Sequence, residues 1–130
     1  MSKAAKTLTA PVSWRKFAAF AKEHPRILLK WEHGSREAFT GKCVQAAHIL
    51  AEMIDGEVVR GFYAGTMDLS RLFLKLSLEP DGTMGHSWVE KDGKIYDATW
   101  WTLNSEPMDV YIWDVTDERY IRPVRNVDKS

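Results

Sequence analysis

A chain of 130 residues has room for one domain with a single buried core. Eighteen basic residues balance eighteen acidic ones, which removes the electrostatic case for a nucleic-acid or anionic-membrane partner. The one cysteine excludes an internal disulfide, and no stretch has the apolar length of a signal peptide or a membrane span, so a reduced, cytoplasmic protein is expected.

Residues 1–11 are small and polar and read as a loose lead-in, leaving 12–130 as the single domain. Ser13 can cap a first helix, in which Trp14, Phe17, Ala18 and Ala21 follow the spacing of one helical face. Pro25 closes it. The stretch RILLKWEHGSREAF is ambiguous between strand and helix, and His33-Gly34-Ser35 reads as a loop. The clearest helix follows. Thr40 is its N-cap, Cys43, Ala46, Ala47, Leu50 and Ile54 share a face, and Asp55-Gly56 supplies the stop.

EVVRGFY is a strand by its β-branched and aromatic content. MDLSRLFLKLSLE begins as a short helix and ends as a strand, and EPDGTMG is turn-rich. HSWVE and KIYDATW form a hairpin around Asp92-Gly93. VYIWDV and RYIRPV are a last pair of strands, joined near Asp117-Glu118. Helices first and antiparallel strands after is the order of an α+β domain.

The hairpin makes a sharper statement. A two-residue turn at Asp92-Gly93 sets Lys91 opposite Lys94, Trp88 opposite Asp97 and His86 opposite Thr99. His86, Trp88, Ile95, Asp97 and Thr99 then share one face, and Asp97 becomes the diagonal neighbour of His86. A three-residue loop would put the two on opposite faces.

Cys43, three residues after the Thr40 cap, falls where helix N–H groups are unpaired and the dipole is positive. Both effects favour thiolate, as does neighbouring Lys42. A helix start packed beside the hairpin would join nucleophile, base and orienting carboxylate in Cys43, His86 and Asp97.

The remaining signals are quieter. His48 lies about 140° round the helix from Cys43 and is no partner for the thiol. His24 and His33 sit in loops, and no metal-binding spacing occurs, so neither a metal nor a cofactor is expected. Glu90 reads as structural or solvated. Trp88, Lys42 and Trp100 are the candidates for a cleft around the triad, and Trp88, across from Asp97, would shield the His–Asp pair from water.

Taken together, GKCVQAAHILAEMIDGEVVRGFY and GHSWVEKDGKIYDATW resemble the transglutaminase-like branch of the papain-like cysteine enzymes. The matching positions are Gly41, Cys43, Gly61, His86, Trp88, Val89, Glu90, Asp97 and Thr99, within residues 40–100. The resemblance implies an α+β fold in which the cysteine helix packs on an antiparallel sheet. It also implies Cys43 as nucleophile, His86 as general base and acid, and Asp97 as its orienting partner.

The expected activity is thiol acyl transfer at an amide of a peptide or protein substrate, with peptidase- or amidase-type hydrolysis first. The alternatives are transamidation or deamidation of glutamine side chains, acetyl transfer from a thioester donor, and an inactive relative serving as a binding module.

Overall fold

The computed structural model describes residues 12–23 and 43–123. Helix α1 runs Trp14–Lys22, and the Ser13 hydroxyl accepts from the Lys16 N–H at 3.2 Å, as its sequence position leads one to expect. Phe17 and Ala21 are its buried residues. Pro25 and the ambiguous stretch after it lie outside the described residues.

Helix α2 runs Cys43–Ile54 and buries Ala46, Ala47, Ile49, Leu50 and Ala51. It stops where the sequence indicates, with a division of labour between two residues. Asp55 takes the left-handed conformation at φ 60°, and the Gly56 N–H returns to the Ala51 carbonyl at 2.9 Å. Gly56 is small for another reason: a Cβ there would run into the Val89 side chain on the neighbouring sheet.

The sheet comprises β1 (Glu57–Tyr63), β2 (Met84–Lys91), β3 (Lys94–Asp97), β4 (Tyr111–Asp114) and β5 (Tyr120–Ile121). All pairings are antiparallel, in the order β4-β3-β2-β1-β5. Two short helices are inserted, α3 (Leu72–Leu76) before β2 and α4 (Trp100–Asn104) after β3. The α+β class therefore holds, with the cysteine-bearing helix packed on an antiparallel sheet.

KIYDATW does not continue as a strand through its tryptophan. Asp97 Oδ1 accepts from the Thr99 N–H at 3.0 Å and turns the chain. The Thr102 hydroxyl and the Trp101 indole then donate to the Thr99 and Ala98 carbonyls, each at 2.7 Å, and close the first turn of α4. Local side-chain bonds outcompete the sheet here.

The last two strands follow one another in the chain yet lie at opposite edges of the sheet. Four inter-strand steps of roughly 4.8 Å would separate those edges by about 19 Å if the sheet were flat. The link through residues 115–119 is instead compact, with Asp117 N–H bonded to the Asp114 carbonyl and Tyr120 N–H to that of Asp117. The sheet must curl until its edges approach, and Trp113 on β4 donates to the Tyr120 hydroxyl at 2.8 Å. Arg119 fastens the link, lying 4.4 Å over the Trp113 ring and pairing with Asp117 at 2.8 Å.

Curling divides the core in two. Tyr63, Met84, Trp88, Ile95 and Tyr120 cluster inside the curl with Leu74 and Leu103. Val89 and Tyr96 belong to the other face, packed with α1 and α2 through Phe17, Ala21, Ala46, Ala47 and Leu50. No helix among the described residues is long and apolar enough to cross a membrane.

Candidate active site

The β2–β3 hairpin has the register its turn demands: Lys91 pairs with Lys94, Glu90 with Ile95 and Val89 with Tyr96. Asp92 and Gly93 both have positive φ, 48° and 78°, the signature of the two-residue turn that matches strand twist. Carried one step further, this register sets Trp88 across from Asp97 and His86 on the diagonal. His86 Nε2 donates to Asp97 Oδ2 at 2.8 Å.

Cys43, at the first described residue of α2, meets the same histidine from the other side. His86 and the backbone N–H of Ser87 both act on its thiol in the direction of proton loss. Since Nε2 is committed to Asp97, Nδ1 is the ring nitrogen left to serve the thiol. One strand thus supplies the ring and the adjacent N–H, one helix the thiol, and the partner strand the carboxylate.

The electrostatics follow from these contacts. Burial alone pushes the Cys43 thiol up, but the His86 bond and charge and the Ser87 N–H outweigh it, and the thiol falls below its ordinary value. Burial alone would likewise keep His86 neutral. The Asp97 charge and hydrogen bond overcome that cost, with a smaller contribution from Cys43, and lift the imidazole to about 10. Both shifts favour a proton on the ring over one on the sulfur.

Asp97 is fully buried, and such a charge is tolerable only when its lone pairs are met. Oδ1 accepts from the Thr99 N–H, and Oδ2 accepts both from His86 and from the Tyr120 hydroxyl, the latter at 2.7 Å. Tyr120 is a site residue that sequence reasoning misses. Its place depends on the sheet curling back on itself, and the only local sign is its alternation with its strand neighbours in RYIRPV.

The cleft candidates fare differently. Trp88 is fully buried, edge-on to Tyr120 at 4.9 Å and beside His86 at 6.2 Å. It packs beside the His–Asp pair and exposes no surface in this structure. Its indole donates to Glu90 at 3.0 Å, and Glu90 also pairs with Arg122 at 2.6 Å, which makes Glu90 structural. Trp100 is half-buried, donates to the Tyr63 hydroxyl at 2.9 Å and packs on Tyr111 and Trp113. Lys42, Gly41 and Thr40 lie outside the described residues.

His48 is exposed on α2. Among the described residues no group of three or more His, Cys, Asp or Glu side chains is arranged to hold a metal ion. Comparisons with protein-family models, with curated proteins and with solved structures each return no match.

Proposed function

We propose that this chain is a thiol acyltransferase of transglutaminase-like, papain-like type, acting on an amide of a peptide or protein and transferring the acyl group to water. The observation that carries the reading is the shared histidine, bonded to Asp97 through Nε2 and coupled electrostatically to the Cys43 thiol. Nucleophile, general base and orienting carboxylate stand in the order this chemistry needs.

The Cys43 thiolate would attack the amide carbonyl, forming a C–S bond and a tetrahedral oxyanion. Collapse breaks the C–N bond, and the amine leaves with the proton of the His86 imidazolium. Water then attacks the thioester, giving its proton to His86. The carboxylic product departs as the C–S bond breaks, and the thiolate–imidazolium pair is restored. Transamidation differs only in that an amine takes the place of water.

The experiment is the rate of Cys43 alkylation by iodoacetamide from pH 4 to 10, in wild type and in His86→Ala. A rate already high below pH 7 and lost in the variant supports the reading, and peptide and glutamine substrates then follow. A rate that rises only near the free-thiol value of about 8.5 overturns it.

A further inference from the structure

Asp97 Oδ2 serves two donors, and the established logic of a Cys-His-Asp set accounts for only one of them. The second is the Tyr120 hydroxyl, contributed by the strand at the far end of the sheet order. Behind it stands Trp113, whose indole N–H donates to the Tyr120 oxygen at 2.8 Å. The result is a line of four side chains from two strands and the hairpin: Trp113, Tyr120, Asp97 and His86.

We propose that Tyr120 is a positioning residue which, through Asp97, sets how strongly His86 holds its proton, and that Trp113 in turn sets how strongly Tyr120 donates. The proposal rests on the acyl-transfer reading of the site and adds how its acid strength is regulated.

The argument is one of shared charge. An oxygen that gives negative density to a hydroxyl proton has less to offer an imidazolium on the same lone-pair side. Tyr120 therefore meets a buried lone pair of Asp97 while limiting the carboxylate's hold on the His86 proton. Donation from Trp113 polarises the Tyr120 O–H bond and strengthens that limit. The Tyr120 hydroxyl stays protonated, because burial and the Asp97 charge both oppose its ionisation.

The balance matters for chemistry. An imidazolium held too tightly is a poor acid toward the leaving amine.

Other charged and titratable groups around the ring are fixed. Tyr63 on β1 packs edge-on at 5.3 Å, with its own hydroxyl bonded to Trp100 and Arg119. The Arg119 guanidinium lies 5.9 Å from the Tyr120 ring centre and is held by Asp117. Cys43 acts on the line mainly through His86, with a lesser direct repulsion from Asp97. None of these forms a hydrogen bond with Asp97. A phenylalanine at 120 keeps the ring packing and removes the hydroxyl, and with it both the Asp97 bond and the acceptor of the Trp113 indole, which is why Trp113→Phe is measured beside it.

The test is the His86 titration, followed by NMR of its ring carbons in wild type, Tyr120→Phe and Trp113→Phe, with the iodoacetamide profile measured in parallel. Tyr120→Phe is expected to raise the His86 midpoint by roughly half to one pH unit, and Trp113→Phe to raise it by less. The alkaline limb of the alkylation profile should move up with it. A midpoint that is unchanged or lower in Tyr120→Phe overturns the proposal, since a purely structural tyrosine would only loosen the Asp97 contact and lower it. Trp113→Phe carries the same test of sign with the tyrosine in place. The two readings fail separately: an inert wild-type thiol sinks acyl transfer, whereas the NMR shift is read whatever the thiol does.

Discussion

Gly61 faces His86 across the β1–β2 pair, and its missing side chain is filled by two other parts of the chain. A Cβ at this position would come within 2.8 Å of the Trp88 ring and would collide with the Ile121 carbonyl. The glycine thus admits both the tryptophan that walls the histidine and the strand that carries Tyr120.

Gly61→Ala should therefore lower stability by roughly 1–3 kcal/mol, the range for overfilling a packed site. Because β5 must shift, iodoacetamide reactivity of Cys43 near neutral pH should fall as well. Urea unfolding and alkylation rate check the two together. A fully stable Gly61→Ala protein with an unchanged thiol would contradict this role.

Asp97→Asn removes the charge that holds the His86 proton while keeping the shape. Burial of the ring then dominates, the imidazole returns to neutral, and the thiolate loses its counter-ion. The alkylation profile should move toward the ordinary thiol range near 8.5, with a loss of about two orders of magnitude in rate at pH 6. A profile still saturated below pH 7 would show that Asp97 is not what holds the ring charged.

Stability against pH separates the two members of the ion pair. His86 is raised in the folded state, so its contribution is complete below about 6.5 and is lost as pH rises through about 10. Cys43 is lowered, so its contribution has the opposite slope: present above the ordinary thiol value and lost as pH falls through the folded one. The two slopes oppose each other where their windows overlap.

Removing the thiol with Cys43→Ala should expose the histidine term. Unfolding free energy should then fall between pH 7 and 10, with a slope of at most about 1.4 kcal/mol per pH unit. Urea titrations across that range check it, and a flat Cys43→Ala curve would count against the raised imidazole.

The hairpin turn gives a contrast between cost and geometry. Gly93→Ala puts a side chain at φ 78°, and about 1–2 kcal/mol of stability should be lost with no change in thiol reactivity. Inserting one glycine between Asp92 and Gly93 should do the reverse of sparing the site. It shifts the β3 register, turns Asp97 to the other face and leaves Cys43 with ordinary reactivity. Urea unfolding and alkylation, run on both variants, distinguish the effects.

Much of this site is legible in the residues because it is local. Asp92-Gly93 fixes a turn, the turn fixes a register, and the register alone brings His86 to Asp97. Helix α2 and strand β1 follow from periodicity and composition in the same way. What escapes is whatever depends on the sheet's curvature. Nothing in VYIWDV or RYIRPV says that these neighbours in sequence take opposite edges, and so Tyr120 and Trp113 cannot be placed. Helix α4 escapes for a smaller reason, since Trp100 and Trp101 suit a strand and only the Asp97–Thr99 bond turns them aside. The burial of Trp88 likewise depends on β5 closing over it.

The late position of β5 in the chain has a consequence for synthesis. Nucleophile, histidine and aspartate have all been joined to the chain by residue 97, but the hydroxyl that shares the buried carboxylate is added only at residue 120. A chain that stops in between carries the three reacting side chains without the strand that closes the sheet over them.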